Sequence, residues 1–210
     1  MSILNLLSSQ IGDRSEEANR HVVDQCLIDP SLINELAEGL ESKKDALIGD
    51  CAEVMTLISE THPDLIVSQI PLLIRTLSNK ATRPRWEAMH ALANVVEMAP
   101  DQMLPALEQI HDLLKNDKSI IVRDYAAKAA GNLSKVGPDF ANKAYPLLKS
   151  ALTVHEGRHA HHAMQGLECV VSWLPEFHNE LRILIEPLTN HKKKVIQKSA
   201  KSLLAVLDSE

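Results

Sequence analysis

Aromatic side chains are scarce: Phe, Trp and Tyr together make up 3% of the chain. Little is left of the aromatic and β-branched clustering that fills sheets, whereas Ala, Leu, Glu and Lys are abundant, so an all-α chain is expected. There are three cysteines, Cys26, Cys51 and Cys169, far apart and without CxxC spacing. A disulfide framework or a cysteine zinc site is not expected, and a reducing, cytoplasmic setting fits best. No run approaches eighteen apolar residues, so no membrane span is expected. The opening stretch MSILNLLSSQIGDR has no basic region and no long apolar core, and it reads as lacking a signal peptide. A Gly-rich phosphate loop and a GxSxG motif are both missing, so no cofactor is expected. The net charge of −6 argues against general binding of nucleic acid, which needs a broad cationic face for the phosphates.

Prolines and glycines are few, and they punctuate periodic segments. Pro63, Pro100, Pro138 and Pro175 recur at spacings of 37, 38 and 37. Each follows an apolar-periodic run and begins a new one, as expected for proline at the first turn of a helix. Counting back twelve residues from each gives Cys51, Ala88, Ala126 and Ala163; nine back gives Val54, Ala91, Ala129 and Gly166. Eight back gives Met55, Leu92, Ala130 and Leu167; five back gives Ile58, Val95, Leu133 and Val170. These offsets trace one helical stripe, expected to be buried, with its small members letting a neighbouring helix approach closely. The preceding helices carry their own marker leucines, Leu40, Leu77, Leu114, Leu152 and Leu188.

Each repeat therefore reads as helix A, turn, helix B, turn. The pairs are expected at 30–41/43–60, 63–77/82–98, 100–115/119–136, 138–153/157–174 and 175–189/191–208, the last with Ala200, Leu203, Leu204 and Leu207 in its stripe. A degenerate leading pair is expected at 2–11 and 14–28, because a terminal repeat has one face without a neighbour. About six antiparallel helix pairs in one domain, 1–210, result: a capping pair over 1–29 and repeats over 30–62, 63–99, 100–137, 138–174 and 175–210.

The clearest single repeat is 117–138, DKSIIVRDYAAKAAGNLSKVGP. Asp117 to Ser119 supply turn and cap chemistry, and Gly137-Pro138 stops the helix. Asp117 followed by Val122-Arg123 and AAKAAGNL resembles the B-helix pattern of HEAT repeats. ATRPRWEAMHALANVVEMAPD (81–101) is similar, with Arg85 aligned to Arg123 and Asn79 to Asp117. The resemblance implies a right-handed α-α superhelix, a HEAT-like solenoid, and an Asp–Arg ladder between adjacent repeats that only the second and third repeats keep. Asn94 and Asn132 match the place where armadillo repeats carry a peptide-binding Asn; the two-helix period near 37 favours HEAT.

The sharpest chemical motif is His155-Glu156-Gly157-Arg158-His159, an H-E-x-x-H match. A metal-dependent hydrolase would need this motif on a continuous helix, so that both His face one metal. The repeat register puts His155 and Glu156 in a turn instead, with a glycine at the centre. A non-catalytic metal site from His155, His159 and His162 requires that the helix start early. The run His191-Lys192-Lys193-Lys194 offers a local cationic contact, for which the alternative is a nucleic-acid-binding HEAT-like protein. The cysteines read as small core residues.

The favoured reading is a non-catalytic scaffold for a protein or peptide partner. The resemblance implies that B helices line a concave surface. B-helix residues off the buried stripe would then contact the partner: Glu53, Trp86, Glu87, His90, Asn94, Tyr125, Lys128, Asn132, His162 and Gln165. The set is polar, mixed in charge, and includes aromatic and amide groups suited to an extended chain.

Overall fold

Prolines stand at the start of several A segments of this chain. The computed structural model describes residues 2–13 and 15–209. Met1, Arg14 and Glu210 lie outside the described residues, and with them the ends expected at 1, 14 and 210. Among the described residues all regular structure is helical. The chain divides into two compact units, Met1–Met103 and Leu104–Glu210.

The first unit begins with a 3-10 turn, Ile3–Leu6, then α1 (Ser8–Ile11) and α2 (Glu17–Ile28). A 3-10 turn at Pro30–Leu32 leads into α3 (Ile33–Leu40) and α4 (Asp45–Thr61). The 3-10 segment Pro63–Gln69 precedes α5 (Ile70–Thr76) and α6 (Thr82–Val95), and α7 (Pro100–Met103) ends the unit. Helices α2, α4 and α6 are successive B helices; α4 packs on both α2 and α6, with α3 and α5 behind.

The second unit opens with the 3-10 turn Leu104–Ala106 and continues with α8 (Leu107–Asn116), α9 (Ile120–Ser134) and α10 (Pro138–Thr153). The 3-10 turn Val154–Gly157 leads into α11 (Ala160–Trp173). After it come the turn Pro175–Phe177, α12 (His178–Ile185), the 3-10 segment Glu186–Asn190 and α13 (Lys194–Ser209). Here α11 packs on both α9 and α13, and α10 packs on α8 and α12.

The repeat-marking prolines Pro63, Pro100, Pro138 and Pro175 each start a helical segment, where the missing N–H has no intrahelical role. The expected A helices are less regular than the sequence pattern implied. Pro71, Pro105 and Pro187 stand where the A segments switch between 3-10 and α geometry. A proline inside a helix deletes one i→i−4 bond and crowds the preceding turn, and a short 3-10 stretch absorbs both effects. Helix α10 accommodates Pro146 without a break. The clean start read at 117–119 is present: Asp117 Oδ1 accepts from the Ser119 N–H at 2.7 Å, and Ser119 Oγ caps Val122 N–H at 3.4 Å.

The B-helix stripe is the core. Cys51, Ala88, Ala126 and Ala163 are all 0% exposed, and Met55, Leu92, Leu133 and Leu167 are buried with them. The marker leucines are buried as well. In the last helix Ala200, Leu203 and Leu207 are buried and Leu204 is half-buried.

In the second unit the close approach is extreme at one point. A Cβ added to Gly166 in α11 would lie 2.5 Å from Gly131 Cα and 2.5 Å from Ser134 Oγ in α9. The Ser134 hydroxyl points at the Gly131 and Gly166 carbonyls, at 2.7 and 3.0 Å. Replacing a mid-helix glycine by alanine gains about 1 kcal/mol of helix propensity. Forcing apart two packed backbones costs about 1–3 kcal/mol, and here neither backbone can give. Gly166→Ala should therefore lower the midpoint of thermal unfolding. Gly137→Ala should not lower it comparably, because a Cβ there meets nothing within 4 Å. Circular-dichroism melts of both variants test this; equal melting points for the two would contradict it.

Candidate functional site

In the first unit, the outward sides of α2, α4 and α6 are joined by a polar network. Asp50 in α4 is fully buried, and both its oxygens accept hydrogen bonds. It takes the Ser9 N–H at 2.8 Å, Asn19 Nδ2 at 3.2 Å and Arg83 Nη2 at 2.8 Å. Glu53, one turn on, also binds Arg83, at 2.6 Å, and Asn19, at 2.5 Å. Buried carboxylates persist only when paired in this way. Burial works against the Arg83 cation, but Glu53 and Asp50 outweigh it and hold its pKa above the ordinary value.

Further along the same face, Trp86 Nε1 donates to Glu87 Oε1, and Thr56 Oγ1 donates to the Glu87 carbonyl at 2.8 Å. Asn94 Nδ2 donates to Ser59 Oγ at 3.0 Å, and His90 Nε2 lies 3.7 Å from Glu60 Oε1. Glu87 is only 9% exposed. Burial pushes its carboxyl up to about 7; the Trp86 hydrogen bond opposes this, and nearby Glu53 adds to it.

Because the folded pKa lies above the ordinary 4.5, the folded state binds this proton more tightly. The resulting stabilisation is complete below pH 4.5 and is lost as pH rises through 7, an effect on the order of 3 kcal/mol. Glu87→Gln keeps an acceptor for Trp86 and removes the charge. It should raise stability at pH 8 and flatten the pH dependence of urea unfolding between pH 5 and 8. An unchanged pH slope in the variant would refute a buried, proton-binding Glu87.

In the second unit a buried triad joins α9 to the start of α11. His159 is 0% exposed. Arg123 Nε donates to its Nε2 at 3.1 Å, so its proton sits on Nδ1 and is given to Asp124 Oδ1 at 2.6 Å. Arg123 Nη1 also holds the Asp117 carbonyl at 2.5 Å. Within this unit, then, Arg123 ties its own helix start to the following repeat. Arg85 likewise holds its own helix start, donating to the carbonyls of Asn79, Lys80 and Ala81.

Beyond the triad, the rims of α9 and α11 enclose a pocket of about 210 Å³. It is lined by Lys128, Gly131, Asn132, Lys135, His161, His162 and Gln165. Lys128 also stands 5.5 Å from the Tyr125 ring centroid, within cation–π range. Burial, foremost, presses the His162 pKa below its ordinary value, and His161 and Lys128 add to that while Asp124 opposes it.

No protein-family profile matches this sequence, and no curated protein sequence matches it. Solved structures do. An engineered protein superposes with a TM-score of 0.79 at 19% identity, over 99% of this chain and 98% of that one. A designed armadillo repeat protein in complex with the peptide (KR)4 gives 0.76 at 18% identity, over 98% of each chain. An archaeal HEAT-like repeats protein from Thermococcus onnurineus NA1 gives 0.60 at 14% identity, over 91% of this chain and 93% of that one.

The fold is a HEAT/armadillo-like all-α solenoid.

In a solenoid of this kind the HExxH match has no helix to stand on. His155 and Glu156 have φ values of 51° and 59°, and Gly157 follows at 69°. Three successive left-handed residues form a turn, and α11 starts only at Ala160. A Cβ at Gly157 would meet the Leu152 carbonyl at 2.8 Å, which keeps this position glycine. His155 Nε2 donates to the Lys115 carbonyl at 3.0 Å, and Glu156 binds Lys192 at 2.9 Å. A metal site from His155, His159 and His162 would need α11 to start early. The helix starts late rather than early, and both ring nitrogens of His159 are engaged. Among the described residues no group of three or more His, Cys, Asp or Glu could hold a metal ion. In the basic run, Lys192 is paired with Glu156, and His191 Nε2 donates to the Glu156 carbonyl at 3.1 Å.

The strip residues divide between the two units of the solenoid. Glu53, Trp86, Glu87, His90 and Asn94 lie along α4 and α6; Tyr125, Lys128, Asn132, His162 and Gln165 lie along α9 and α11. Glu87 is the most buried of the ten, Trp86 is half-buried and Gln165 is exposed. Sequence reasoning did not find Asn19, Arg83, Asp124 or the role of His159. Asp50 and Arg83 sit about one repeat apart on B helices, and that offset was the available signal. No helix among the described residues is long and apolar enough to cross a membrane.

Proposed function

We propose that this chain is a non-catalytic scaffold that holds a protein or peptide segment along the B-helix faces of its two units. The observation that carries the reading is the hydrogen-bonding face of α4 and α6, which carries Glu53, Glu60 and Glu87 along with the half-buried Trp86, whose Nε1 donates to Glu87. A side chain such as Trp86, part apolar and part polar, is well suited to anchor a partner. Two structural neighbours support a peptide as the partner: one was designed for modular peptide recognition, and another is bound to the peptide (KR)4. An acidic face suits a basic segment, whose charges would steer association and weaken it in salt. Such a scaffold acts by preformed shape, which reduces the ordering cost of binding. A reducing, cytoplasmic setting fits three cysteines that form no disulfide among the described residues; burial pushes the Cys26 thiol up to about 11 and the Cys51 thiol up to about 12.

Fluorescence anisotropy with a labelled alternating Lys–Arg peptide and an uncharged peptide of equal length tests this. The basic peptide should bind tighter, and its affinity should fall as salt rises from about 50 to about 200 mM. Trp86→Ala with Asn132→Ala should weaken it by about tenfold or more while helicity is kept. Unchanged affinity in the double variant would remove the B-helix faces as the binding surface.

A further inference from the structure

Positive charge gathers at α13 in a chain whose net charge is −6. Residues 191–207 contain five lysines and no acid. Lys192 is taken up by Glu156 at 2.9 Å. Lys193, Lys194, Lys198 and Lys201 are exposed, and among the described residues they make no ion pair. Lys194, Lys198 and Lys201 are four and three residues apart on α13 and so share a face. That face lies opposite the buried stripe of Ile196, Ala200, Leu203 and Leu207.

Beside it, α11 and α13 enclose a groove of about 310 Å³. The lining includes the buried Met164 of α11 and, on α13, Val195, Lys198 and Ser202. Val195 is 48% exposed. The acid in the lining is Glu168, on α11.

We propose that the lysine face of α13 and the α11–α13 groove form a docking surface for an extended, acidic peptide segment that carries one aliphatic side chain. The inference deepens the scaffold reading and rests on it, by naming the chemistry of a segment that the second unit holds.

Spacing is the first argument. At about 1.5 Å of rise per residue, Lys194, Lys198 and Lys201 stand at intervals of about 6 and 4.5 Å along the helix axis. In an extended chain, side chains on one side recur about every 6.6 Å. Acids at alternate positions of such a chain meet the lysines nearly in step, and the flexible lysine stems absorb the remainder. The second argument is that helix stability does not account for these cations. Lysines in the first turn work against the helix dipole, and α13 has no acid in its first turn to offset Lys194.

The groove sets the kind of partner. A nucleic acid calls for Arg to grip phosphates in pairs or for aromatic rings to stack bases, and residues 191–207 contain neither. An exposed valine in the wall of a groove instead offers a place to bury an aliphatic side chain. Glu168 repels acids from the groove, so the aliphatic residue enters there and the acids lie along the lysines.

The test uses the full chain at low salt. Fluorescence anisotropy compares a labelled peptide with one leucine and Glu at alternate positions, the same peptide with Ser for each Glu, a DNA duplex and phosphatidylserine vesicles. The acidic peptide should bind at least about tenfold more tightly than the serine peptide. Lys194→Glu, Lys198→Glu and Lys201→Glu together should abolish that preference; all three sites are exposed, and circular dichroism checks that the fold is kept. Glu168→Lys should tighten binding of the acidic peptide about threefold or more, a gain that a misfolded variant would not give. Equal affinity for the two peptides, or a preference that survives the triple variant, would overturn the surface. Binding of the duplex or the vesicles through the same lysines, with the acidic peptide failing to bind, would overturn the peptide as occupant. The alternating Lys–Arg peptide is run in parallel: if it binds and the acidic one does not, this inference alone fails, and if neither binds the scaffold reading fails with it.

Discussion

Everything in this molecule depends on how closely one B helix can lie against the next. Small residues are buried along the B helices: Cys51 and Ala88 in the first unit, Ala126 and Ala163 in the second, where Gly131 and Gly166 meet directly. Close approach removes both helices from water along a continuous stripe and lets dispersion contacts accumulate. It also brings the polar rims of successive helices within hydrogen-bonding reach. The core and the candidate surfaces are thus two sides of one geometric fact.

The rims are joined by bonds between residues roughly one repeat apart. Asn94 reaches Ser59, Thr56 reaches the Glu87 carbonyl, Asp124 reaches His159, and His161 reaches Ser199. Asp50, held by Asn19 and Arg83, joins three B helices at once. The family resemblance implied a ladder of Asp and Arg. Within each unit the repeat-to-repeat bonds are more varied than that: carboxylate to guanidinium in the first unit, guanidinium to imidazole to carboxylate in the second. Fully satisfied polar groups of this kind fix one register between neighbours, because any slip would leave a buried charge unpaired.

The same framework explains why the H-E-x-x-H match does not lie on one helix here. H-E-x-x-H is meaningful only on a helix, where residues four apart share a face. The repeat places a turn there, and the turn is made by three left-handed residues. His159 is then absorbed into the packing between repeats. Its two nitrogens serve Arg123 and Asp124, so a motif of catalytic form becomes part of the structural framework.

The sequence by itself determined the repeat. Proline spacing, helical offsets of Ala and Leu, and marker leucines pointed to an all-α repeat and to nearly all of the buried stripe, because burial on one helix face leaves a periodic trace in local sequence. Turn chemistry at 117–119 and at Gly137-Pro138 was legible for the same reason. Three things were decided only by tertiary structure. Interior prolines Pro71, Pro105 and Pro187 sit where A helices switch to 3-10 geometry, while Pro146 does not break α10, so neighbours rather than proline alone set the outcome. Glu87 looked like a surface acid and is mostly buried. The pocket between α9 and α11 lies beside the meeting of Gly131 and Gly166, residues 35 positions apart whose contact depends on how the two helices cross. Periodicity reports which face a residue is on; it does not report which residue lies opposite, and that is what assembles a site.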